Sequence, residues 1–367
     1  MSPDILVAGA GIIGTSIAWR LAQAGLRVCL LDAGKAGGEA SWAGAGMLAP
    51  GGEVEDRSDW AEFALESRRL YPAFVAELAA ESGCPIDFKE LGAVEVAFAE
   101  AEWRALAERA RKQAVLGVSS RCLSPVELRE RVPLLGRETA GALWFPDDAL
   151  VDPRQVMRAL TACCRGRGVE IREGVRVTYF TLSPREALLE TSAGPLTAGA
   201  AVLAAGAWSG EIPVRVNGAE RPIPESFPVR GHLLGYLLDP GSLGPILRHG
   251  QTYLLQRANG LTIAGTSSEQ VGFDRRLDRG IVRDIARRAC ELLPRLRAAG
   301  EPQPWLGFRP ATAGLHPEIR RIEGAPLWLA YGHYRNGILL APATAQRVSR
   351  QIIASSETDS QATAGTV

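Results

Sequence analysis

Two sets of residues in this chain have types and spacing suited to chemistry. Gly9, Gly11 and Gly14 follow the apolar run Ile5-Leu6-Val7, and Asp32 ends a second apolar run over 28–31. Glycines at that spacing make a tight strand-to-helix turn whose backbone can approach a pyrophosphate. There the unpaired N–H groups and the helix dipole favour negative charge. An acid at the tip of the second strand is placed to accept hydrogen bonds from a ribose 2′-hydroxyl. The second set centres on Arg309, which stands between Phe308 and Pro310 in an apolar stretch. A buried guanidinium needs an anion, and its planar fork takes a carboxylate in bidentate fashion without ever deprotonating.

These residues must be held by elements the sequence also suggests. The segment 13–24 predicts a helix closed by Gly25. A longer helix is expected over 58–81, with Trp60, Phe63, Ala64, Leu70, Phe74 and Leu78 at three- and four-residue spacing. Between 86 and 144, β-like pieces such as 93–98 alternate with a polar helix over 100–116, which reads as an insertion. The segment 151–166 predicts a helix opened by Asp152-Pro153. A buried strand over 200–203 runs into the small-residue turn 204–209. Segments 229–238, 253–256 and 261–264 suggest antiparallel strands, followed by a basic helix over 278–293. Arg275-Arg276 and Arg287-Arg288 read as solvated helix faces, and no internal repeat is visible.

A chain of 367 residues can hold two modest domains or one large α/β domain with an insertion. Hydrophobic and charged contents of 46% and 22% are ordinary for a globular protein. A net charge of zero gives no support for nucleic acid or an anionic membrane as partner. No apolar run reaches the roughly 20 residues that span a bilayer. Met1-Ser2-Pro3-Asp4 is too short and polar for a secretory leader. Cys29, Cys84, Cys122, Cys163, Cys164 and Cys290 form no CxxC, which suits incidental thiols in a reducing cytoplasm. His232, His249, His316 and His333 are scattered, so no metal site is expected.

Two further segments bear on the cofactor. The run 39–50 is dense in small residues, as where a flat ring system lies close to the backbone, and its Trp42, Met47 and Leu48 would want burial. The string 332–344 enters the last helix. A helix N-terminus aimed at the pyrimidine edge of a flavin would stabilise negative charge there.

With these segments in view, the chain resembles the glycine oxidase branch (thiamine-pathway type) of the D-amino acid oxidase family of flavoenzymes. The resemblance is carried by the opening glycines, by Ala40-Ser41 with Ala45-Gly46-Met47, and by Ala205-Gly206-Ala207-Trp208-Ser209. It continues in Pro228-Val229-Arg230-Gly231, Gly307-Phe308-Arg309-Pro310 and Gly332-His333-Tyr334-Arg335-Asn336-Gly337-Ile338-Leu339, and covers nearly all of the chain except the polar tail. It implies an α/β fold in which a Rossmann-like FAD-binding domain carries an inserted antiparallel-sheet α+β substrate domain. The FAD domain would comprise 1–81, 148–212 and 305–353, the substrate domain 82–147 and 213–304, with a disordered tail over 354–367.

The same resemblance places FAD against Gly9, Gly11, Ile12, Ile13, Gly14, Asp32, Ala33, Ala40, Ser41, Ala45, Gly46 and Met47. It adds Gly206, Trp208 and residues His333, Tyr334, Arg335, Asn336, Gly337, Ile338 and Leu339, with a backbone contact to adenine near Val177. Arg309 and Tyr253 would hold the substrate carboxylate, and Arg335 would act through its side chain or only its backbone. The implied reaction oxidises glycine or another small amino acid to an imine, then to a 2-oxo acid and ammonia. Dioxygen becomes hydrogen peroxide, and the imine would supply the thiazole part of thiamine. Covalent attachment of flavin through a late cysteine is not expected, since Cys290 is the last. Alternatives of the same fold are a sarcosine or D-amino acid (for example D-alanine) oxidase or dehydrogenase, or a flavin-binding subunit without turnover. An NAD-dependent dehydrogenase rests on the opening turn alone. A homo-oligomer is left open. The chain departs from the family pattern at Ser268, at Gln256 and over 313–317, which bears on side-chain preference more than on chemistry.

Overall fold

Four consecutive apolar residues without alternation call for a strand covered on both faces, as in parallel sheets. A computed structural model, describing residues 2–54 and 57–364, places Ile5–Ala8 at such a position. It pairs in parallel with Val28–Asp32 on one side and Ala200–Leu203 on the other. Glu170–Glu173 and Leu327–Tyr331 extend the sheet in parallel, and Glu318–Arg321 closes one edge antiparallel, giving six strands. Ile5–Ala8 sits where the connections turn to opposite sides, so the crevice beyond its carboxyl end is the expected ligand position.

Helices Ile12–Gln23, Asp59–Ser82, Pro153–Gly166 and Gly337–Ala364 pack on one another over one face of this sheet. Their ends follow local rules. Ser58 Oγ accepts the Ala61 N–H at 3.1 Å and Asp152 Oδ1 the Arg154 N–H at 2.9 Å, and Gly83 closes its helix in the left-handed conformation. The other face carries a five-stranded sheet, whose Phe180, Leu182 and Leu189 pack on Leu6, Cys29 and Leu31.

The remaining sheet has eight strands, in the spatial order Gln303–Ala311, Phe227–Leu237, Leu261–Gly265, Thr252–Gln256, Ile246–His249, Ala93–Ala97, Gly141–Phe145, Arg121–Cys122. Its strands come from two separated stretches of chain, one inside 93–145 and one inside 227–311. Helix Arg279–Leu292 packs against it through Ile285, Ala289 and Leu292.

Several boundaries differ from the sequence expectation. Gln303–Ala311 pairs along its whole length with Phe227–Leu237, so it belongs to the eight-stranded sheet rather than to the segment after 304. Val214–Val216 and Ala219–Glu220 join Val177–Ser183 in the five-stranded sheet, although both lie beyond 212. Val151 ends a strand, and the helix starts only at Pro153. The last helix runs on through Ala364, where a disordered tail was expected from 354. Nothing in 354–364 is glycine or proline, so no residue type interrupts the helix there. Residues 365–367 of that tail lie outside the described residues.

Candidate active site

A cavity of about 1000 Å³ opens beyond the carboxyl end of Ile5–Ala8 and is walled by the six- and eight-stranded sheets. All but two of the expected cofactor residues line it; the exceptions are Gly14 and Leu339. Gly14 acts from behind. A Cβ there would run into the Gly9 carbonyl, so its role is to let the first helix turn meet the strand end. Leu339 is buried in the core, and its carbonyl accepts the Ser67 hydroxyl at 2.7 Å.

The cradle end is built by backbone. Gly9 has φ +105 and lies against the Ala204 carbonyl, a conformation and a closeness that exclude a side chain. Asp32 Oδ2 accepts the Ala10 N–H at 2.8 Å and Oδ1 the Gly34 N–H at 2.8 Å, which fixes its carboxylate at the cavity wall. Burial raises its pKa, and the two N–H groups oppose that. Ser41 Oγ accepts the Ile12 N–H at 2.9 Å and ties the small-residue segment to the helix start. Residues 175–178 line the far end, and Gly337 and Ile338, opening the last helix, line the near one. A cavity lined by close-approach glycines, an acid at a second strand tip and a helix N-terminus fits a flavin dinucleotide. His333 meets the cavity as a neutral ring: burial lowers its pKa to about 3, and Nε2 lies 3.0 Å from Thr344 Oγ1.

Opposite the cradle, Arg309 and Tyr253 come together on the eight-stranded sheet. Arg309 donates from Nη1 to the Ser267 carbonyl at 2.9 Å and from Nη2 to Thr266 Oγ1 at 2.7 Å. Its guanidinium lies over Gly231, where a Cβ would collide with it. Among the described residues no carboxylate comes within ion-pairing distance of it, and burial depresses its pKa. The Tyr253 ring lies over Gly265 in the same way, and burial pushes its hydroxyl up to about 12, so it stays a donor. Glycine on each neighbouring strand thus makes room for one of these two side chains.

Arg335 also lines the cavity, but its Nε donates to Glu53 Oε2 at 2.7 Å and its side chain is half exposed. That ion pair already engages the side chain that the sequence left open between two roles. Glu53 was not singled out by sequence. It rides on a loop held by Gln113, whose buried amide donates to the Gly51 carbonyl at 2.8 Å and also to that of Val54.

The segment 267–278 straps across the cavity. Phe273 stacks on Trp208 at 4.7 Å, and the Arg275 guanidinium reaches Glu39 at 2.7 Å. Arg275 is therefore a loop residue, not part of a helix face as the sequence suggested. Arg288 is helical but turned inward, donating to Thr252 Oγ1 at 2.9 Å and the Thr266 carbonyl at 3.1 Å. Trp42, expected to be buried, is 43% exposed and is covered by the Arg154 guanidinium 3.8 Å from its ring centre.

The family model described as FAD dependent oxidoreductase matches residues 4–351. A glycine oxidase of Bacillus licheniformis is 31% identical over 351 residues, covering 95% of this chain and 93% of that relative. A bifunctional ThiO/ThiG protein of Synechocystis is 33% identical over 95% of this chain, which spans 51% of that longer relative. The crystal structure of glycine oxidase from Geobacillus kaustophilus superposes with a TM-score of 0.88 at 29% identity, covering 96% of this chain and 94% of that one. The chain belongs to the D-amino acid oxidase family of FAD-dependent oxidoreductases.

Proposed function

We propose that this flavoenzyme oxidises glycine or a comparably small amino acid to its imine with dioxygen as acceptor, and that the imine feeds assembly of the thiazole part of thiamine. The observation that carries the reading is Arg309: a guanidinium facing the flavin cavity, beside the Tyr253 hydroxyl, with no carboxylate among the described residues to pair with. Such a group favours an incoming carboxylate, because pairing relieves the cost of burying the charge. The names of the full-length relatives support the choice of glycine.

When FAD is bound in this cavity, the chemistry it supplies is acceptance of an electron pair from the Cα–H bond of the amine. The protein's part is orientation. Arg309 and Tyr253 fix the carboxylate, which presents the α-carbon toward the cradle and leaves the amine lone pair free to form the C=N bond. No side chain is needed as a base once the amine is neutral. Imine that is not captured for thiazole assembly takes up water and releases ammonia, while dioxygen gains two electrons and two protons to become hydrogen peroxide.

The test is anaerobic bleaching of the yellow holoenzyme by glycine, sarcosine and D-alanine. Bleaching by glycine at lower concentration than by the other two is the expected result. Reduction by sarcosine or D-alanine alone would overturn the assignment of substrate.

A further inference from the structure

Directly behind the clamp lies a buried polar cluster that the reaction itself does not use. Glu269 shares its carboxylate among three partners. Oε2 accepts Arg230 Nε at 3.0 Å and also Arg230 Nη2, while Oε1 lies 2.9 Å from His232 Nδ1 and 2.6 Å from Ser267 Oγ. The Asp278 N–H donates to His232 Nε2 at 3.1 Å, which leaves the ring proton on Nδ1, facing Glu269. Arg230 also reaches the Asp274 and Arg276 carbonyls at 3.1 and 3.0 Å. The side chains of Arg230 and His232 are 6% and 0% exposed, so the cluster is no surface decoration.

What this cluster holds is the acceptor side of Arg309. The Ser267 hydroxyl, bound to Glu269, belongs to the residue whose carbonyl takes Arg309 Nη1. The His232 N–H donates to that hydroxyl at 2.9 Å, and the His232 carbonyl accepts the hydroxyl of Thr266, which in turn takes Arg309 Nη2. Backbone bonds between Arg230 and Glu269, 2.8 and 3.0 Å long, pin the strap to strand Phe227–Leu237 at the same point. Both acceptors that aim the guanidinium therefore hang from one ionic cluster. Hydrophobic packing of equal strength could stabilise the strap without fixing those two oxygens in direction, whereas a fully bonded polar network does both.

We infer that Glu269, with Arg230 and His232, is a positioning group for Arg309 and thereby sets the affinity for the substrate carboxylate. The inference rests on the carboxylate-clamp reading of Arg309. Its effect passes through the orientation of one side chain, so it is read directly in the binding of a carboxylate and, through the pose of the α-carbon, to a smaller extent in the oxidation step.

The experiment uses FAD-loaded enzyme and acetate, a carboxylate that cannot be oxidised, titrated by the change in flavin absorbance. Four proteins are compared: parent, Glu269→Gln, Arg309→Ala and the double variant. Glu269→Gln should retain FAD and weaken acetate by about tenfold or more, the scale expected of a misaimed binding group. The KM for glycine should rise in parallel, while kcat falls by a smaller factor than KM rises. In the Arg309→Ala background the same substitution should have little further effect, because the residue it positions is gone. Unchanged acetate affinity in Glu269→Gln, or an effect that adds in full to that of Arg309→Ala, overturns the positioning role while leaving the clamp standing. If Arg309→Ala itself binds acetate like the parent, the clamp fails and the positioning role with it. Should Glu269→Gln fail to fold, Ser267→Ala makes the same comparison, since it removes the hydroxyl link but keeps the carbonyl.

Discussion

Truncating Arg309 to alanine is the perturbation with the largest expected effect on binding. Of the five N–H bonds of a guanidinium, the structure shows one engaged by the Ser267 carbonyl and one by Thr266 Oγ1. Enough remain on the same fork for a bidentate carboxylate. Losing that charge-assisted pair from a largely desolvated site should cost on the order of 2–5 kcal/mol, a thirtyfold to several-thousandfold fall in affinity. FAD and the fold should survive, because the side chain faces the cavity and no strand hydrogen bond depends on it. Tyr253→Phe keeps the ring over Gly265 and removes one donor, so about 1–2 kcal/mol is expected. The two effects should fall short of their sum in a double-mutant cycle, since both groups would address one carboxylate. The assay is anaerobic flavin reduction titrated with glycine. If Arg309→Ala is reduced with the parent's apparent affinity, the carboxylate is held elsewhere and Arg335 becomes the residue to test.

Gly231→Ala should mimic part of that loss without touching the guanidinium itself. The new methyl collides with Arg309, and displacing it costs about 1–3 kcal/mol in stability or glycine affinity, read from the same titration together with a melting curve. Buried, neutral His333 makes stability depend on pH in a defined direction. Its folded pKa is depressed to about 3, so its contribution is complete above the unfolded value near 6.5 and is lost as pH falls from there toward 3. Between pH 6.5 and 5 the loss is about 2 kcal/mol. His333→Gln should flatten that part of the urea-denaturation profile at saturating FAD, and an unaltered profile would show that another group is responsible. None of the six cysteines lines the cavity, so acid precipitation should leave free FAD in a yellow supernatant. Flavin that stays with the denatured chain would contradict this.

The nucleotide side was legible because its signals are local. Gly9, Gly11 and Asp32 lie within one βαβ unit, and their roles follow from backbone geometry a few residues apart. Arg309 was legible for a different reason: its apolar neighbours Phe308 and Pro310 leave a charge with nowhere to go but a cavity. The partners of these residues were not legible. Glu53, Thr266, Ser267 and Arg275 are ordinary polar residues in loops, and only the pairing of distant strands brings them to the site. Arg288 shows the limit most clearly. Its helix is strongly amphipathic, yet which face meets the sheet depends on packing against strands well removed in sequence. Gly231 and Gly265 could have been suspected, since glycine inside a strand marks close approach, but not what approaches.

The strand that carries Arg309 is also docked on the cofactor side. Trp305 Nε1 donates to the Ala43 carbonyl at 2.9 Å, and Gly307 abuts the Ala43 methyl so closely that no side chain could stand between them. Only Phe308 stands between that contact and Arg309. The short helix Ala40–Ala43 belongs to the small-residue run that lines the cradle. The protein thus contains a ruler, marked at one end by the guanidinium and at the other by the cofactor wall, whose length owes nothing to the molecule being measured. A ligand whose amine-bearing carbon is one bond further from its carboxylate presents the wrong atom to the far mark. β-Alanine should therefore occupy the site and protect it from glycine without itself being consumed, and remodelling the side-chain pocket should change which α-amino acids enter without changing which carbon reacts.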